Sequence, residues 1–160
     1  MIFQAKESDL VAVLHVLKSC ATWLADQGMY NWQNAIKKEE ILQTIRAGEF
    51  FVFLENKKII GTIAIMHEYS EHALGIWKDS NFFYLRKLAV LPSHHNQGIA
   101  SKLMEFAEDK ARKEKHCIRF DCLSKNKKLN DFYVKRGYKF IKSGPLGIND
   151  TVVNFYEKRL

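Results

Sequence analysis

The stretch from Tyr84 to Ser101 is the first place where residue types and spacing point to chemistry. A predicted strand is stopped by Pro92, which has no amide hydrogen to give a sheet, and Gly98 then opens an amphipathic helix. The first amides of a helix have no partner within it, and the helix dipole adds partial positive charge there. Such a terminus binds phosphate, and a glycine lets a ligand approach the backbone closely. The stretch therefore indicates a phosphate or pyrophosphate site.

A glycine at a helix start is by itself a weak indication, because most such glycines belong to ordinary turns. Ala100 and Ser101 keep the approach to the backbone narrow but open. No Gly-Lys-Ser/Thr follows, so this is not a Walker loop, and the three glycines of the dinucleotide fingerprint are lacking. A second motif is needed to decide between a turn and a site.

The second motif follows the next predicted strand. It combines Asn126, the pair Phe132-Tyr133 and the run Gly137-Tyr138-Lys139-Phe140. Taken with Gln97-Gly98-Ile99-Ala100, the pattern resembles the GNAT superfamily of acetyl-CoA-dependent N-acetyltransferases. That family carries Arg/Gln-x-x-Gly-x-Gly/Ala after its fourth strand, then an Asn after the fifth strand, an aromatic-Tyr pair and Gly-aromatic. The close resemblance covers roughly residues 80–140.

The resemblance implies acetyl-CoA as cosubstrate and a role for each matching position. The backbone of Leu88, Ala89 and Val90 would hold the pantetheine arm like an added strand. Asn126 would bond the pantetheine region. The pyrophosphate would lie on the amides of one continuous segment, namely His95, Asn96, Gln97, Gly98, Ile99, Ala100 and Ser101. His95 stands where the family usually has Arg or Gln, and Asn96 where many members have Gly. Because backbone amides supply most phosphate contacts, both changes are expected to be tolerated.

Tyr133 would, by the same resemblance, lie near the thioester sulfur and protonate the leaving thiolate. Amine attack on a thioester expels a thiolate, and a thiol has a pKa of about 8.5 while a phenol has one near 10. A phenol can therefore donate a proton to the developing negative charge. A backbone amide of the fourth strand, such as that of Val90, could stabilise the oxyanion. Tyr133 could instead be a core aromatic on a helix face, but its place between Asn126 and Gly137 favours catalysis.

The acceptor amine must be neutral to attack, and a lysine-like amine has a pKa of about 10.4. A base or a water path must take its proton. The candidates are Glu68, Glu71, His67, His72, His94 and Asp121. A solvated loop charge explains each of them as well, or for Asp121 a charge paired with Arg119 on the same strand face. The sequence therefore selects no base.

Two other groups of residues have a functional and a structural interpretation. Cys117 and Cys122 could form an acyl-enzyme, but they fall on opposite faces of one strand, and burial explains them better. Tyr30 and Trp32 follow the first predicted helix, near Trp23 and Met29. They fit core packing or an apolar wall for the acceptor, since that loop borders the acceptor cleft in the family. They are the candidate substrate-binding residues.

The elements that must position these residues follow in the order β-α-α-β-β-β-α-β-α-β-β. The unit spanning 82–123 is predicted to be a right-handed parallel crossover, and the other pairings antiparallel. We expect an α/β (mixed α+β) fold: a mostly antiparallel seven-stranded sheet with one central parallel strand pair and about four helices, as in GNAT-like acyl-CoA N-acyltransferases. Predicted strands cover 2–5, 50–54, 59–66, 82–91, 117–123, 138–142 and 151–158. The first predicted helix follows the cap residues Ser8 and Asp9 and ends at Gly28, and the others cover 37–47, about 98–114 and about 127–136.

Composition sets the broad class. The 160 residues fit one domain, and we expect a single N-acetyltransferase domain over 1–160. Three cysteines without paired short spacing indicate neither a disulfide framework nor a zinc site, which favours a reducing, cytoplasmic setting. No stretch is expected to be long and apolar enough to cross a bilayer, and the N-terminus lacks a secretory pattern. No metal is expected.

The preferred function is transfer of an acetyl group from acetyl-CoA to a primary amine of a small molecule, directly, in a ternary complex. A non-catalytic acyl-CoA-binding sensor or interaction module is an alternative, as is acetylation of a protein or peptide amine. Nucleic-acid binding, suggested by the net charge of +7, ranks last because the basic residues are spread along the chain. The acceptor's identity and the oligomeric state, including a homodimer, are left open.

Overall fold

The computed structural model describes residues 1–160 and contains seven strands and four α-helices in the predicted order. Three single 3-10 turns lie between them, at Glu7–Asp9, Glu71–Ala73 and Pro92–His94. The strands are β1 Ile2–Gln4, β2 Phe50–Glu55, β3 Lys58–Met66, β4 Phe82–Val90, β5 Cys117–Leu123, β6 Lys139–Pro145 and β7 Val152–Lys158. The helices are α1 Leu10–Asp26, α2 Lys38–Arg46, α3 Ile99–Glu114 and α4 Lys127–Lys135.

All seven strands belong to one sheet in the order β1-β2-β3-β4-β5-β7-β6. The β4–β5 pair is parallel, and the pairs β1–β2, β2–β3, β5–β7 and β6–β7 are antiparallel. This confirms the predicted fold class. The parallel ladder joins only Phe82–Tyr84 to Cys117–Arg119, although β5 continues to Leu123. Beyond Arg119, β5 is therefore paired only with β7.

The chain divides into two compact units. The first consists of Met1–Ile65 and Arg86–Ala107, and the second of Met66–Leu85 and Glu108–Leu160. Strand β4 and helix α3 contribute residues to both units. Gly98 belongs to the first unit, whereas Asn126 and Tyr133 belong to the second.

The core of the first unit is built on the apolar stripe of α1. Val13, Val16 and Leu17 of this helix are completely buried. The stretch Glu7–Asp26, which includes α1, is long and apolar enough by length and composition to cross a membrane, which corrects the expectation that no such stretch exists. The buried helix of a globular core also passes this test of length and composition.

The core of the second unit has a different composition on each side of β5. On one side, Phe120 is surrounded by three tyrosine rings, those of Tyr133, Tyr138 and Tyr156, at centroid distances of 4.2, 4.9 and 5.7 Å. On the other side, Tyr84 and Phe155 are buried in a cluster that includes Phe82 and Ala73. Successive strand residues point to opposite faces, so Asp121 lies on the side opposite Phe120.

A buried carboxylate, Glu108 on α3, joins the last elements of the second unit. It is 4% exposed, and its Oε1 accepts hydrogen bonds from Tyr138 Oη at 3.1 Å, Arg136 Nη2 at 3.2 Å and Lys158 Nζ at 3.3 Å. Helical periodicity predicts the apolar face of α3 but not the burial of this acid, because its three hydrogen-bond donors are 28 to 50 residues away in the sequence.

Replacing Glu108 with alanine is expected to lower the free energy of unfolding by about 3 kcal/mol, since two half-buried cations and a buried hydroxyl each lose one acceptor. The melting temperature should fall by roughly 6–12 °C. Thermal or urea unfolding of the purified variant measures the change. Glu105→Ala is the matched control, because Glu105 lies on the same helix but is exposed, and should change stability by less than about 0.5 kcal/mol. Equal stability of the two variants would contradict the role assigned to Glu108.

Candidate functional site

The loop between β4 and α3, in the first unit, presents a run of unpaired backbone amides. After Pro92–His94, the amide of His95 donates to the Pro92 carbonyl at 3.3 Å. The bond that opens the helix runs from the Lys102 amide to the Gly98 carbonyl at 3.1 Å. The amides of four consecutive residues therefore have no acceptor within the chain: Gly98, Ile99, Ala100 and Ser101. This arrangement can bind an anion at the start of α3.

Gly98 leaves the space in front of these amides open. Its φ is +76°, in the left-handed region that glycine adopts at little cost, and a β-carbon added there would meet no heavy atom within 4 Å. Asn96, which also has a positive φ of 60°, and Gln97 are exposed beside it. The backbone at Gly98 is therefore open to the close approach of a phosphate.

His95 holds the loop against the end of β4. Its Nε2 donates to the Val90 carbonyl at 2.8 Å, and its ring packs edge-on against Trp23 with centroids 4.7 Å apart. The thiol of Cys20 donates to the same carbonyl at 3.0 Å. The side chain of His95, which stands where the family usually has Arg or Gln, therefore links the loop to β4 and α1 within the first unit. The motif predicts a backbone-amide role for His95 but not this contact of its side chain.

Strand β4 carries a local irregularity next to Leu88, Ala89 and Val90. Lys87 has a φ of +54°, an uncommon conformation for a residue other than glycine, and its carbonyl accepts from Thr62 Oγ1 at 2.8 Å. The Lys87 ammonium donates to the Ala35 carbonyl at 3.1 Å and lies 5.6 Å from the centre of the Trp32 ring. The side chain therefore ties the loop after α1 to β4.

The two candidate substrate-binding residues in that loop, Tyr30 and Trp32, differ in solvent exposure. Tyr30 is 61% exposed, whereas Trp32 is half-buried beneath the Lys87 ammonium. Trp32 is thus held in place by a cation–π contact, while Tyr30 presents most of its ring to solvent. Trp23, in contrast, packs against His95.

In the second unit, Asn126 and Tyr133 are positioned by helix α4. Asn126 is the N-cap residue, and its Oδ1 accepts from the Leu129 amide at 3.2 Å, which is the ordinary way that Asn begins a helix. Tyr133 lies two turns further on and packs against Phe120. One short helix therefore determines the orientation of both residues.

The Tyr133 side chain combines a buried ring with an unbonded hydroxyl. The residue is 5% exposed, and its hydroxyl makes no hydrogen bond within the chain. Burial raises the pKa of this phenol well above its ordinary value, and the nearby Cys122, Asp121 and Tyr156 raise it further. The hydroxyl therefore stays protonated at neutral pH and is available as a donor to a bound group.

The cysteines are unsuited to form an acyl-enzyme. Cys20, Cys117 and Cys122 are all buried and all free thiols. Burial raises the pKa of Cys122 to about 12, with a further contribution from Asp121, and raises the pKa of Cys20 to about 11. The thiolate is the nucleophilic form, so both thiols are inert at neutral pH. Cys122 instead donates to Asn130 Oδ1 at 3.2 Å.

Among the candidate bases, two come together in the second unit. His72 Nε2 lies 2.9 Å from Asp121 Oδ2, which also accepts a hydrogen bond from the Tyr84 hydroxyl. Asp121 does not pair with Arg119, as the sequence suggested it could. Arg119 is fully buried and instead contacts Asp79 and Glu157.

The other candidate bases are not assembled into such a group. Glu68 and Glu71 are exposed. The exposed ring of His67 packs edge-on against Phe83 with centroids 5.2 Å apart, and His94 Nδ1 lies 2.9 Å from the hydroxyl of its neighbour Ser93. His72 and Asp121 are therefore the pair that geometry selects.

Comparison with known proteins agrees with the fold and the motifs. A family model described as the acetyltransferase (GNAT) family matches residues 17–138. A Bacillus subtilis (strain 168) relative, named as the uncharacterised N-acetyltransferase YesJ, is 27% identical over 159 residues, which cover 95% of this chain and 86% of that protein.

Solved structures of GNAT proteins have the same fold. An acetyltransferase of this family from Streptococcus agalactiae superposes with a TM-score of 0.85 at 18% identity, covering 100% of this chain and 95% of its own. The PaiA N-acetyltransferase of Thermoplasma acidophilum, solved in complex with coenzyme A, gives 0.78 at 19% identity, covering 100% and 98%. The structural likeness shows the fold, and the family model spans well over half of the sequence. The chain belongs to the GNAT family of acetyltransferases.

Proposed function

We propose that this chain transfers an acetyl group from acetyl-CoA to a primary amine of a small molecule, by direct transfer in a ternary complex. The observation that carries the proposal is the run of four unpaired amides from Gly98 to Ser101, with open space before it. A diphosphate is the ligand that such a helix start binds well. Family membership supplies the acetyl-CoA chemistry.

The cofactor would be held by backbone more than by side chains. The segment His95–Ser101 would hold the pyrophosphate, and the backbone of Leu88, Ala89 and Val90 would pair with the pantetheine arm. The Val90 carbonyl already accepts from His95 and Cys20. The Val90 amide would be the group that meets a ligand or a developing oxyanion. Asn126 uses its Oδ1 as a helix cap, which leaves its amide nitrogen to bond the pantetheine region.

Tyr133 would act as the general acid. When the amine attacks the thioester carbonyl, the C–N bond forms and the C–S bond breaks, and the thiolate must be protonated. The Tyr133 phenol is protonated, and its hydroxyl has no competing partner in the chain. Holding thioester and amine together supplies much of the remaining rate by proximity. Attack of an amine on a thioester requires no metal ion, and we propose none.

The acceptor would meet the loop that carries Tyr30 and Trp32. The Trp32 ring, which packs under the Lys87 ammonium, would offer an apolar wall, and the exposed Tyr30 would offer a second aromatic surface. We propose that residues 1–160 act as one N-acetyltransferase domain in a reducing, cytoplasmic setting, in keeping with three free cysteines. A homodimer is compatible with this proposal.

An acetyl-CoA-dependent thiol-release screen over a broad panel of amines tests the function. We expect coenzyme A to be released with at least one small primary amine, together with the N-acetylated product by mass spectrometry. Polyamines, aminoglycosides, amino acids and an amine-bearing peptide belong in the panel, because a peptide-only response would replace the small-molecule acceptor. Tight acetyl-CoA binding without thiol release for any amine would favour a non-catalytic sensor.

A further inference from the structure

We propose that His72 is the general base that deprotonates the acceptor amine, and that Asp121 and Tyr84 position it. This inference rests on the proposed function and names a residue that neither the motifs nor the family pattern selects. His72 Nε2 lies 2.9 Å from Asp121 Oδ2. A carboxylate only accepts hydrogen bonds, so Nε2 carries a hydrogen, and in the neutral ring Nδ1 then has the lone pair. The carboxylate thus selects the tautomer whose other nitrogen can take a proton.

The Nδ1 atom is available for that task. No hydrogen bond to it is present in the chain, and it is not among the enclosed polar atoms without a partner, which belong to Asn31, His116 and Arg136. The side chain is 20% exposed and that of Asp121 is 15% exposed. The pair is therefore sheltered but still reachable by a small amine.

The loop that carries His72 is fixed firmly to the sheet. Arg119 Nη1 and Nη2 bind the two carboxylate oxygens of Asp79 at 2.5 and 2.9 Å, and Nη1 also donates to the Tyr69 hydroxyl at 2.6 Å. The Tyr69 ring stacks on Phe82 with centroids 3.9 Å apart. These contacts hold the loop on both sides of His72. A base must be held within hydrogen-bond reach of its proton, and this loop has the anchoring to do so.

The position of the pair within the second unit suits a base. Asp121 lies two residues beyond Arg119, the last β5 residue paired with β4, on the strand face opposite Phe120 and the Tyr133 ring. The charge of Asp121 is close enough to contribute to the raised pKa of Tyr133. His72–Asp121 and Tyr133 therefore approach β5 from opposite faces, so the proposed base and the proposed acid do not compete for the same space.

The proton balance assigns one proton to each group. The ammonium form of the acceptor gives a first proton to His72 Nδ1, which returns it to solvent. The neutral amine attacks the acetyl carbonyl, the C–S bond breaks, and Tyr133 protonates the sulfur. The amide nitrogen loses the second proton, which restores the Tyr133 hydroxyl. One proton is released per acetyl group transferred.

Two probe amines of the same shape can distinguish a general base at His72 from a residue with only a structural role. Ethylamine is an ammonium at neutral pH and needs a base, whereas methoxyamine has the same size but is uncharged and needs none for attack. We expect His72→Gln to lower kcat/KM for ethylamine on the order of 100-fold and to leave that for methoxyamine little changed. Asp121→Asn should also lower kcat/KM for ethylamine, by a smaller factor, and leave kcat/KM for methoxyamine little changed.

A control variant and an acetyl-CoA binding measurement distinguish failure of the base assignment from failure of the proposed function. Exposed His15 on α1 provides the matched variant, His15→Gln, which should be unchanged with both amines. An active wild type whose His72→Gln variant loses both activities equally, or neither, overturns the base assignment alone. A wild type that binds acetyl-CoA but acetylates neither probe nor any amine of the panel overturns the proposed function, and the base assignment with it.

Discussion

Replacing Tyr133 with phenylalanine is expected to lower turnover on the order of 100-fold or more, while the affinity for acetyl-CoA hardly changes. The substitution removes one oxygen from a side chain whose ring packs against Phe120 and whose hydroxyl bonds to nothing in the chain. The packing is therefore kept, and what is lost is the proposed proton donor to the leaving thiolate. Steady-state thiol release and calorimetric binding of acetyl-CoA measure the two quantities.

Tyr138→Phe is the matched control for this change. Tyr138 packs against the same Phe120 ring, but its hydroxyl donates to Glu108 at 3.1 Å. Its loss should cost about 1 kcal/mol of stability and leave turnover intact. Equal losses of turnover and cofactor affinity in Tyr133→Phe would count against the acid role and favour a binding role.

The pH dependence of turnover offers a further check of the same residue. Burial raises the pKa of Tyr133 above its ordinary value near 10, so the active, protonated form persists through neutral and mildly alkaline pH. Activity that depends on this proton is lost only as the pH rises through the raised pKa. We therefore expect no fall in turnover from Tyr133 below about pH 10. A fall in the wild type that begins near neutrality and is absent from Tyr133→Phe would contradict the assignment.

Replacing Gly98 with tryptophan is expected to weaken acetyl-CoA binding by at least about 100-fold, which corresponds to about 2.7 kcal/mol. Two effects act together. The indole would occupy the open space before the free amides of Ile99, Ala100 and Ser101, and a φ of +76° is strained for any residue with a β-carbon. Isothermal calorimetry with acetyl-CoA measures the loss directly.

Gly147→Trp is the control that shares the backbone geometry without the site. Gly147 has a φ of +85° and, like Gly98, no heavy atom within 4 Å of an added β-carbon, but it lies in the turn between β6 and β7. It should bear the same conformational strain and keep the cofactor affinity. Unchanged affinity in a folded Gly98→Trp variant would refute the anion site at the start of α3.

The order of the elements and the positions of Gly98, Asn126 and Tyr133 could be read from the sequence alone. Apolar periodicity, glycines and proline are local signals, and each reports on the few residues around it. The elements accordingly agree with prediction to within a few residues, except that β6 runs to Pro145, through the glycine predicted to start a turn. Edge strands tolerate proline, which explains the extension.

The tertiary structure alone decided which polar side chains meet. His72 and Asp121 are 49 residues apart, and Tyr84 is 37 residues from Asp121, so no local pattern joins them. Arg119 lies two residues before Asp121 on the same strand, yet it donates hydrogen bonds to Asp79, which is 40 residues away. A side chain's partner depends on which elements the sheet brings together, and its burial sets how strong the contact is. That is why the sequence motifs proposed Tyr133 as the acid but selected no base.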